Sequence, residues 1–238
     1  MKISADALLF DNDGTLVSSL DSVLRCWTRW AEEQGIAAED FARVELHGRP
    51  ADDIIAELLP ADRAARARAR IDELELADVP GGVKLLPGAA ELLAGLPAGR
   101  WAVVTSAYRE LAEARLAEVA IRPGTLISAD DITRGKPHPE PFLLAAERLG
   151  VDPARCVVFE DAPAGLAAGR AAGMRTVALA TTTDRAELVA DVVVEDLSAV
   201  SARVSDGEWR SPAGSEPAPG HPATCPRTEQ RCPLYGQP

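Results

Sequence analysis

Short, wholly apolar runs alternate along the chain with longer segments in which apolar residues recur at every third or fourth position. Three of the runs lie at residues 8–10, 101–104 and 156–159. A strand that is apolar on both faces is typical of the interior of a parallel sheet. Over residues 1–15 and 86–204, the alternation of such strands with helical patterns therefore predicts a doubly wound α/β core with a Rossmann-like parallel sheet.

A purely helical pattern interrupts this core between residues 16 and 85. The segments 18–34, 50–59 and 61–77 carry apolar residues at three- and four-residue spacing. We therefore expect an all-helical domain inserted after the first strand.

The end of the chain, residues 205–238, follows neither pattern. Residues 207–238 include seven prolines and four glycines and show no periodicity. A segment with this composition cannot bury enough apolar surface to order itself, which predicts a disordered tail.

Composition excludes several classes of protein. The 238 residues carry a formal net charge of −12, which disfavours binding to nucleic acids or anionic membranes. No run approaches the roughly 18 consecutive apolar residues of a membrane span, and the first residues lack the pattern of a signal peptide. We expect a cytoplasmic protein that is a monomer or a homodimer.

Polar residues follow the apolar strands at the points where the strands end. The carboxyl ends of parallel strands lie along one edge of the sheet, where ligands bind. Seven residues are expected at this edge: Asp11, Asp13, Thr105, Ser106, Lys136, Glu160 and Asp161. Clustered carboxylates suit a hard cation such as Mg²⁺, whereas a lysine with hydroxyls suits a phosphate group. The pattern predicts a site for phosphoryl transfer.

These residues resemble, in order, the four motifs of the haloacid dehalogenase superfamily. The motifs are the run from Asp11 to Thr15, the pair Thr105-Ser106, the loop lysine Lys136 and the pair Glu160-Asp161. Residues 135–141, 159–165 and 167–173 look like the matching segments of glycerol-3-phosphatases and 2-deoxyglucose-6-phosphatases. The resemblance covers roughly residues 5–200. It implies a Mg²⁺-dependent phosphatase with a helical cap, acting on a small phosphorylated metabolite such as a sugar or polyol phosphate.

The resemblance also implies a role for each residue. Asp11 is expected to attack phosphorus and form an aspartyl-phosphate, and Asp13 to act first as general acid and then as general base. The expected metal ligands are Asp11, the backbone carbonyl of Asp13, Asp161 and, directly or through water, Glu160. The phosphate oxygens are expected to bind Lys136 and either Thr105 or Ser106.

Two features of the helical insertion bear on specificity. The turn from His47 to Pro50 resembles the substrate-specificity loop of this subgroup, so His47 and Arg49 are candidate substrate ligands; an ordinary inter-helix turn is the alternative. Four arginines wind around one helix and are expected to be solvated: Arg63, Arg66, Arg68 and Arg70.

Other activities of the superfamily are distinguished by single residues. Asp13 and Asp161 argue against a dehalogenase, and the lack of lysine over residues 16–83 argues against a Schiff-base mechanism. A phosphosugar mutase similar to β-phosphoglucomutase uses the same core residues and remains an alternative. A non-catalytic protein that binds phosphorylated metabolites is the alternative of a different class.

Overall fold

The computed structural model describes residues 2–44, 46 and 49–202. The helices and strands are, in chain order, β1 (Ala7–Phe10), β2 (Val17–Ser18), α1 (Leu20–Gln34), α2 (Ala38–Phe41), α3 (Ala51–Leu58), α4 (Ala61–Gly82), β3 (Lys84–Leu85), α5 (Ala89–Ala94), β4 (Trp101–Val104), α6 (Arg109–Glu118), β5 (Leu126–Ile127), α7 (Glu140–Leu149), β6 (Cys156–Glu160), α8 (Pro163–Ala171), β7 (Arg175–Leu179) and β8 (Val192–Val194). The tail at 205–238 lies outside the described residues, and so does His47.

Six strands form one parallel sheet in the order β5-β4-β1-β6-β7-β8. Strand β1 is central, with Leu9 opposite Ala102 of β4 on one side and Val158 of β6 on the other. The strand order reverses at β1, since the chain runs outward from it in both directions. The predicted doubly wound α/β core is therefore confirmed.

Both faces of the sheet are covered, which explains why its strands are apolar at consecutive positions. Leu9 packs into one hydrophobic cluster, with residues that include Phe142 of α7. Phe10 packs into the cluster on the opposite face, where its ring stacks on Phe159 with the ring centroids 4.8 Å apart. Adjacent residues of β1 thus bury their side chains on opposite faces.

The helices between β2 and β3 have a hydrophobic cluster of their own. It is centred on Trp30, which is fully buried and donates a hydrogen bond from Nε1 to the carbonyl of Ala67 at 2.8 Å. The antiparallel pair Val17–Leu85 joins the two ends of the insertion. This pairing supports our proposal that residues 16–85 form a cap domain inserted into the core.

Within the described residues, no helix is both long enough and apolar enough to cross a membrane.

Candidate active site

The residues after β1 form a tight loop against the end of β6. The carbonyl of Asn12 accepts hydrogen bonds from the amides of Leu16 and Val17 at 2.9 and 3.0 Å. Gly14 has a φ of 90°, and a Cβ at this position would overlap the carboxylate of Asp161. Glycine is therefore required both by the backbone conformation and by the close approach of the carboxylate.

Three buried carboxylates converge beside this loop. Ligand atoms of Asp11, Glu160 and Asp161 all lie within 4.8 Å of one another. Burial raises the pKa of Asp11 and of Glu160; Lys136 opposes this, and the neighbouring carboxylates raise both values further. Like charges at such short range are stable when a cation sits among them. The donor set is oxygen alone, which fits a hard divalent cation.

Lys136 supplies a positive charge to the same cluster. Its Nζ donates to Asp11 Oδ1 at 2.5 Å, to Glu160 Oε1 at 2.6 Å and to the carbonyl of Val104 at 3.0 Å. Burial lowers the pKa of Lys136, but attraction to the two carboxylates outweighs burial and leaves it above the usual lysine value. The ammonium thus stays charged beside Asp11.

Both carboxylate oxygens of Glu160 accept hydrogen bonds. While Oε1 accepts from Lys136, Oε2 accepts from the backbone amides of Asp161 and Ala162 at 3.0 Å each. Gly165 of α8 leaves room for this carboxylate, because a Cβ there would overlap it. The Oδ1 atom of Asp161 accepts from the Thr15 hydroxyl at 3.2 Å.

Asp13 lies apart from the three carboxylates and has different partners. Its Oδ1 accepts from the Ser19 hydroxyl at 2.6 Å and from Arg115 Nη1 at 3.0 Å, and its Oδ2 accepts from Asn12 Nδ2 at 3.2 Å. Arg115 also donates from Nη2 to Glu75 of α4 at 3.2 Å. One buried guanidinium therefore connects the insertion to the loop after β1.

Sequence reasoning missed Arg115, Ser19 and Glu75. A signal for Arg115 did exist: it lies four residues after Leu111 and directly before Leu116, so the helical period places it on the buried face of α6. A buried arginine needs a carboxylate partner, and here it has two.

The two hydroxyls after β4 both line the cavity described below. Thr105 is buried, and its Oγ1 accepts a hydrogen bond from the amide of Ala107 at 3.1 Å; Ser106 is more exposed. Because both hydroxyls line the cavity, either of them could bind a phosphate oxygen, as the sequence predicts.

A cavity of about 220 Å³ lies between the edge of the sheet and the helical insertion. Asp11, Asp13 and Asp161 line it from the core, and from the insertion the lining includes Trp27, Ile54, Arg49, Arg68 and Glu75.

Two arginines at this cavity bear on the sequence predictions. Arg49 lines the cavity and pairs with Glu57 at 2.9 Å. For Arg68 the prediction of a solvated side chain is wrong: its side chain is only 24% exposed, lies over the Tyr108 ring and pairs with Asp72 at 2.8 Å. Arg63 and Arg66 are exposed as expected, and Arg70 is partly buried. The helix lies against the core on the side of Arg68, which sequence spacing alone does not reveal.

Comparison with known proteins identifies the family. Residues 5–173 match the family described as "Hydrolase: haloacid dehalogenase-like hydrolase". Hexitol phosphatase A of Escherichia coli (strain K12) is 37% identical over 203 residues, which cover 81% of this chain and 92% of that protein. Glycerol-1-phosphate phosphohydrolase 2 of Saccharomyces cerevisiae is 36% identical over 200 residues, which cover 77% of this chain and 78% of that protein.

A solved structure extends this similarity to the fold. CbbY from Rhodobacter sphaeroides, in complex with phosphate, matches with a TM-score of 0.69 and 26% identity, over 82% of this chain and 95% of that chain. The resemblance inferred from the strand-end motifs is confirmed by the family match, which runs from before β1 to the end of α8. The chain belongs to the haloacid dehalogenase-like hydrolase family.

Proposed function

We propose that the protein is a Mg²⁺-dependent phosphatase that hydrolyses small sugar or polyol phosphate monoesters through an aspartyl-phosphate. The observation that carries the proposal is the buried cluster of Asp11, Glu160, Asp161 and Lys136, whose three carboxylates line a cavity that the helical insertion covers. The names of the relatives, a hexitol phosphatase and a glycerol-1-phosphate phosphohydrolase, support the substrate class.

Asp11 is the proposed nucleophile. A free carboxylate oxygen attacks phosphorus in line with the ester oxygen, and the covalent intermediate divides the displacement into two easier steps. Lys136, hydrogen-bonded to Asp11, reduces the repulsion between this carboxylate and the anionic phosphate. The proposed phosphate ligands are the hydroxyl of Thr105 or Ser106 and Lys136, which must exchange one of its three present hydrogen bonds for one to a phosphate oxygen.

The proposed metal ligands are Asp11, Asp161 and the backbone carbonyl of Asp13, with Glu160 bound directly or through water. A Mg²⁺ ion bound there would neutralise charge on the phosphate and stabilise the transition state. In the described structure Glu160 is already committed to Lys136 and two backbone amides, which favours the contact through water for this residue.

Asp13 is the proposed general acid and base. It protonates the departing alkoxide and then removes a proton from the water that hydrolyses the aspartyl-phosphate. The hydrogen bonds from Ser19 and Arg115 to Oδ1 hold the side chain at the cavity. The helical insertion excludes bulk water during the first step.

A phosphosugar mutase requires the same core residues, and a binding protein requires only part of them. We propose a small phosphorylated metabolite as the partner and the cytoplasm as the location, for a monomer or a homodimer. Hydrolysis is favoured over the mutase alternative because the two relatives compared above are named for phosphate removal.

Phosphate release from sugar phosphates, polyol phosphates and p-nitrophenyl phosphate tests the proposal. We expect release with Mg²⁺, none in excess EDTA, and the highest kcat/KM with a sugar or polyol phosphate. An isomeric sugar phosphate as the product, with no free phosphate, would support the mutase instead. Binding without conversion of any substrate would support the non-catalytic alternative.

A further inference from the structure

Glu75 is a buried carboxylate that the proposed mechanism does not use. It lies in α4 of the insertion, its side chain is 9% exposed, and it lines the same cavity as Asp11 and Asp13. A carboxylate is rarely buried to this extent without a partner, and the partner of Glu75 is Arg115.

Arg115 binds only one of the two carboxylate oxygens of Glu75. Its Nη2 donates to Oε1 at 3.2 Å, while Oε2 has no hydrogen-bond partner among the described residues. The other terminal nitrogen, Nη1, binds Asp13 at 3.0 Å. Since one planar guanidinium binds both carboxylates, Glu75 is held next to Asp13 and therefore next to the position of the ester oxygen that Asp13 protonates.

The charges around the cavity favour a neutral substrate group next to Glu75 and Asp13. Arg115 is shared by two carboxylates, Arg68 pairs with Asp72 at 2.8 Å, and Arg49 pairs with Glu57 at 2.9 Å. A second anionic group of a substrate would meet Glu75 and Asp13 and be repelled. A hydroxyl group would instead satisfy the acceptor that Arg115 leaves without a partner.

We infer that Glu75 determines specificity: its Oε2 accepts a hydrogen bond from a substrate hydroxyl close to the phosphate ester, and Arg115 positions it to do so. This inference rests on the proposed phosphatase function, and it names the residue that recognises the hydroxyls of a sugar or polyol phosphate. Phosphates with a carboxylate or a second phosphate close to the ester are excluded by charge.

Glycerol 1-phosphate and propyl phosphate form a substrate pair for the test, because they differ only in the hydroxyls. The wild-type protein should prefer glycerol 1-phosphate in kcat/KM. In Glu75→Ala, kcat/KM for glycerol 1-phosphate should fall about 10- to 100-fold, the loss typical of a hydrogen bond to a charged group, and that for propyl phosphate by less than about threefold. Glu73→Ala is the control, since Glu73 is on the same helix with its side chain 67% exposed and should leave both values unchanged.

Equal losses on the two substrates would overturn the inference, because they would show that Glu75 acts only through Arg115 and Asp13. Unchanged values for both would overturn it as well. Glu75→Leu provides a second variant if alanine prevents folding: its side chain fills more of the buried space but accepts no hydrogen bond, and we expect the same loss of preference for glycerol 1-phosphate. No phosphate release by the wild-type protein from any ester would contradict the proposed function itself, a failure distinct from the previous two.

Discussion

Lys136 and Arg115 are both buried, and each pairs with two carboxylates. Lys136 pairs with Asp11 and Glu160, and Arg115 pairs with Asp13 and Glu75. Removing the cation from such a group leaves two carboxylates without a compensating charge, which is far more costly than losing an exposed ion pair. A variant at this site therefore needs a measurement of folding beside that of activity, so that effects on chemistry are separated from effects on folding.

Asp11→Asn tests the nucleophile. The amide oxygen can still accept the hydrogen bond from Lys136, so we expect a folded protein, but the amide cannot attack phosphorus. Turnover of p-nitrophenyl phosphate should fall by roughly 10³-fold or more, while the melting temperature stays close to that of the wild type. Near-normal turnover in a pure preparation would exclude the aspartyl-phosphate mechanism.

Asp161→Ala tests the metal site. The change removes one of three converging carboxylates, so the concentration of Mg²⁺ that gives half-maximal activity should rise strongly, or activity should disappear. A titration of phosphate release with Mg²⁺ measures this. If the wild-type protein keeps full turnover in excess EDTA, the proposed metal requirement is wrong.

At the level of elements, the small residues of α8 serve two purposes. Gly169 allows the helix to approach the sheet, since a Cβ there would lie 3.0 Å from Thr176 Cγ2 and 3.2 Å from Val158 Cβ. Gly165 serves a different purpose, because the group that a Cβ would meet is the carboxylate of Glu160. The packing of this helix therefore positions a residue of the candidate site.

Gly165→Ala should lower kcat strongly but change the free energy of unfolding only slightly. The new methyl group displaces Glu160, and with it the hydrogen bond to Lys136, whereas alanine is otherwise favourable inside a helix. We expect kcat to fall on the order of 10- to 100-fold, as for a small displacement of reacting groups. Gly95→Ala is the control, since no atom lies closer than 3.5 Å to its Cβ. Equal activity of the two variants would show that Glu160 accommodates the methyl group.

Asp131 joins the end of β5 to helices α6 and α7. It accepts hydrogen bonds from the Ser128 amide at 2.9 Å, from Arg109 at 2.5 Å and from Arg148 at 2.9 Å. Burial raises the pKa of Asp131, but the hydrogen bonds from Ser128 and Arg148 and the charge of Arg109 outweigh burial, so its pKa lies below the usual range. Linkage then requires its stabilising contribution to be present at neutral pH and lost in acid.

Asp131→Asn should therefore destabilise the protein by about 1–2 kcal/mol at pH 7. The difference from the wild type should shrink as the pH falls below about 4, where the carboxyl of the unfolded chain becomes protonated. Urea unfolding of both proteins at several pH values measures the difference. A difference that is constant with pH would show that the ion pairs of Asp131 contribute nothing to the free energy of unfolding.

At the level of the whole molecule, the proposed catalytic groups and the groups that cover them come from different parts of the chain. The carboxylates Asp11, Glu160 and Asp161 line the cavity from the core, whereas helices of the insertion supply Glu75 and the apolar side chains of Trp27 and Ile54. The insertion helices that carry Trp27 and Ile54 pack into a hydrophobic cluster of their own.

Deleting residues 207–238 should leave both parts unaffected. The segment is rich in proline and glycine, and its apolar content is too low to offset the entropy of ordering. We expect kcat and the melting temperature of the truncated protein to match those of the full chain. A melting temperature lowered by several degrees would show that the segment docks on the rest of the protein.

Most of the fold and the candidate site could be predicted because their signals are local in sequence. The apolar runs predicted the strands, and the parallel arrangement requires the carboxyl ends of β1, β4 and β6 to meet at one edge. This rule alone predicts that Asp11 and Asp161 lie close together, although 150 positions separate them in the sequence. The helical pattern likewise predicted the insertion, and the strand-end motifs predicted the family.

The contacts of Arg115 could not be predicted in the same way. Arg115 is 102 positions from Asp13 and 40 positions from Glu75, and no rule of sheet topology relates these three residues. Their contact depends on how α4 packs against α6, which is determined by the shapes of side chains from distant segments. The sequence alone therefore determined the fold and the strand-end residues, because strand periodicity and parallel topology are properties of the backbone. Only the tertiary structure decided the partners of Asp13 and the residues of the insertion that line the cavity, because helix packing depends on side-chain fit across the whole chain.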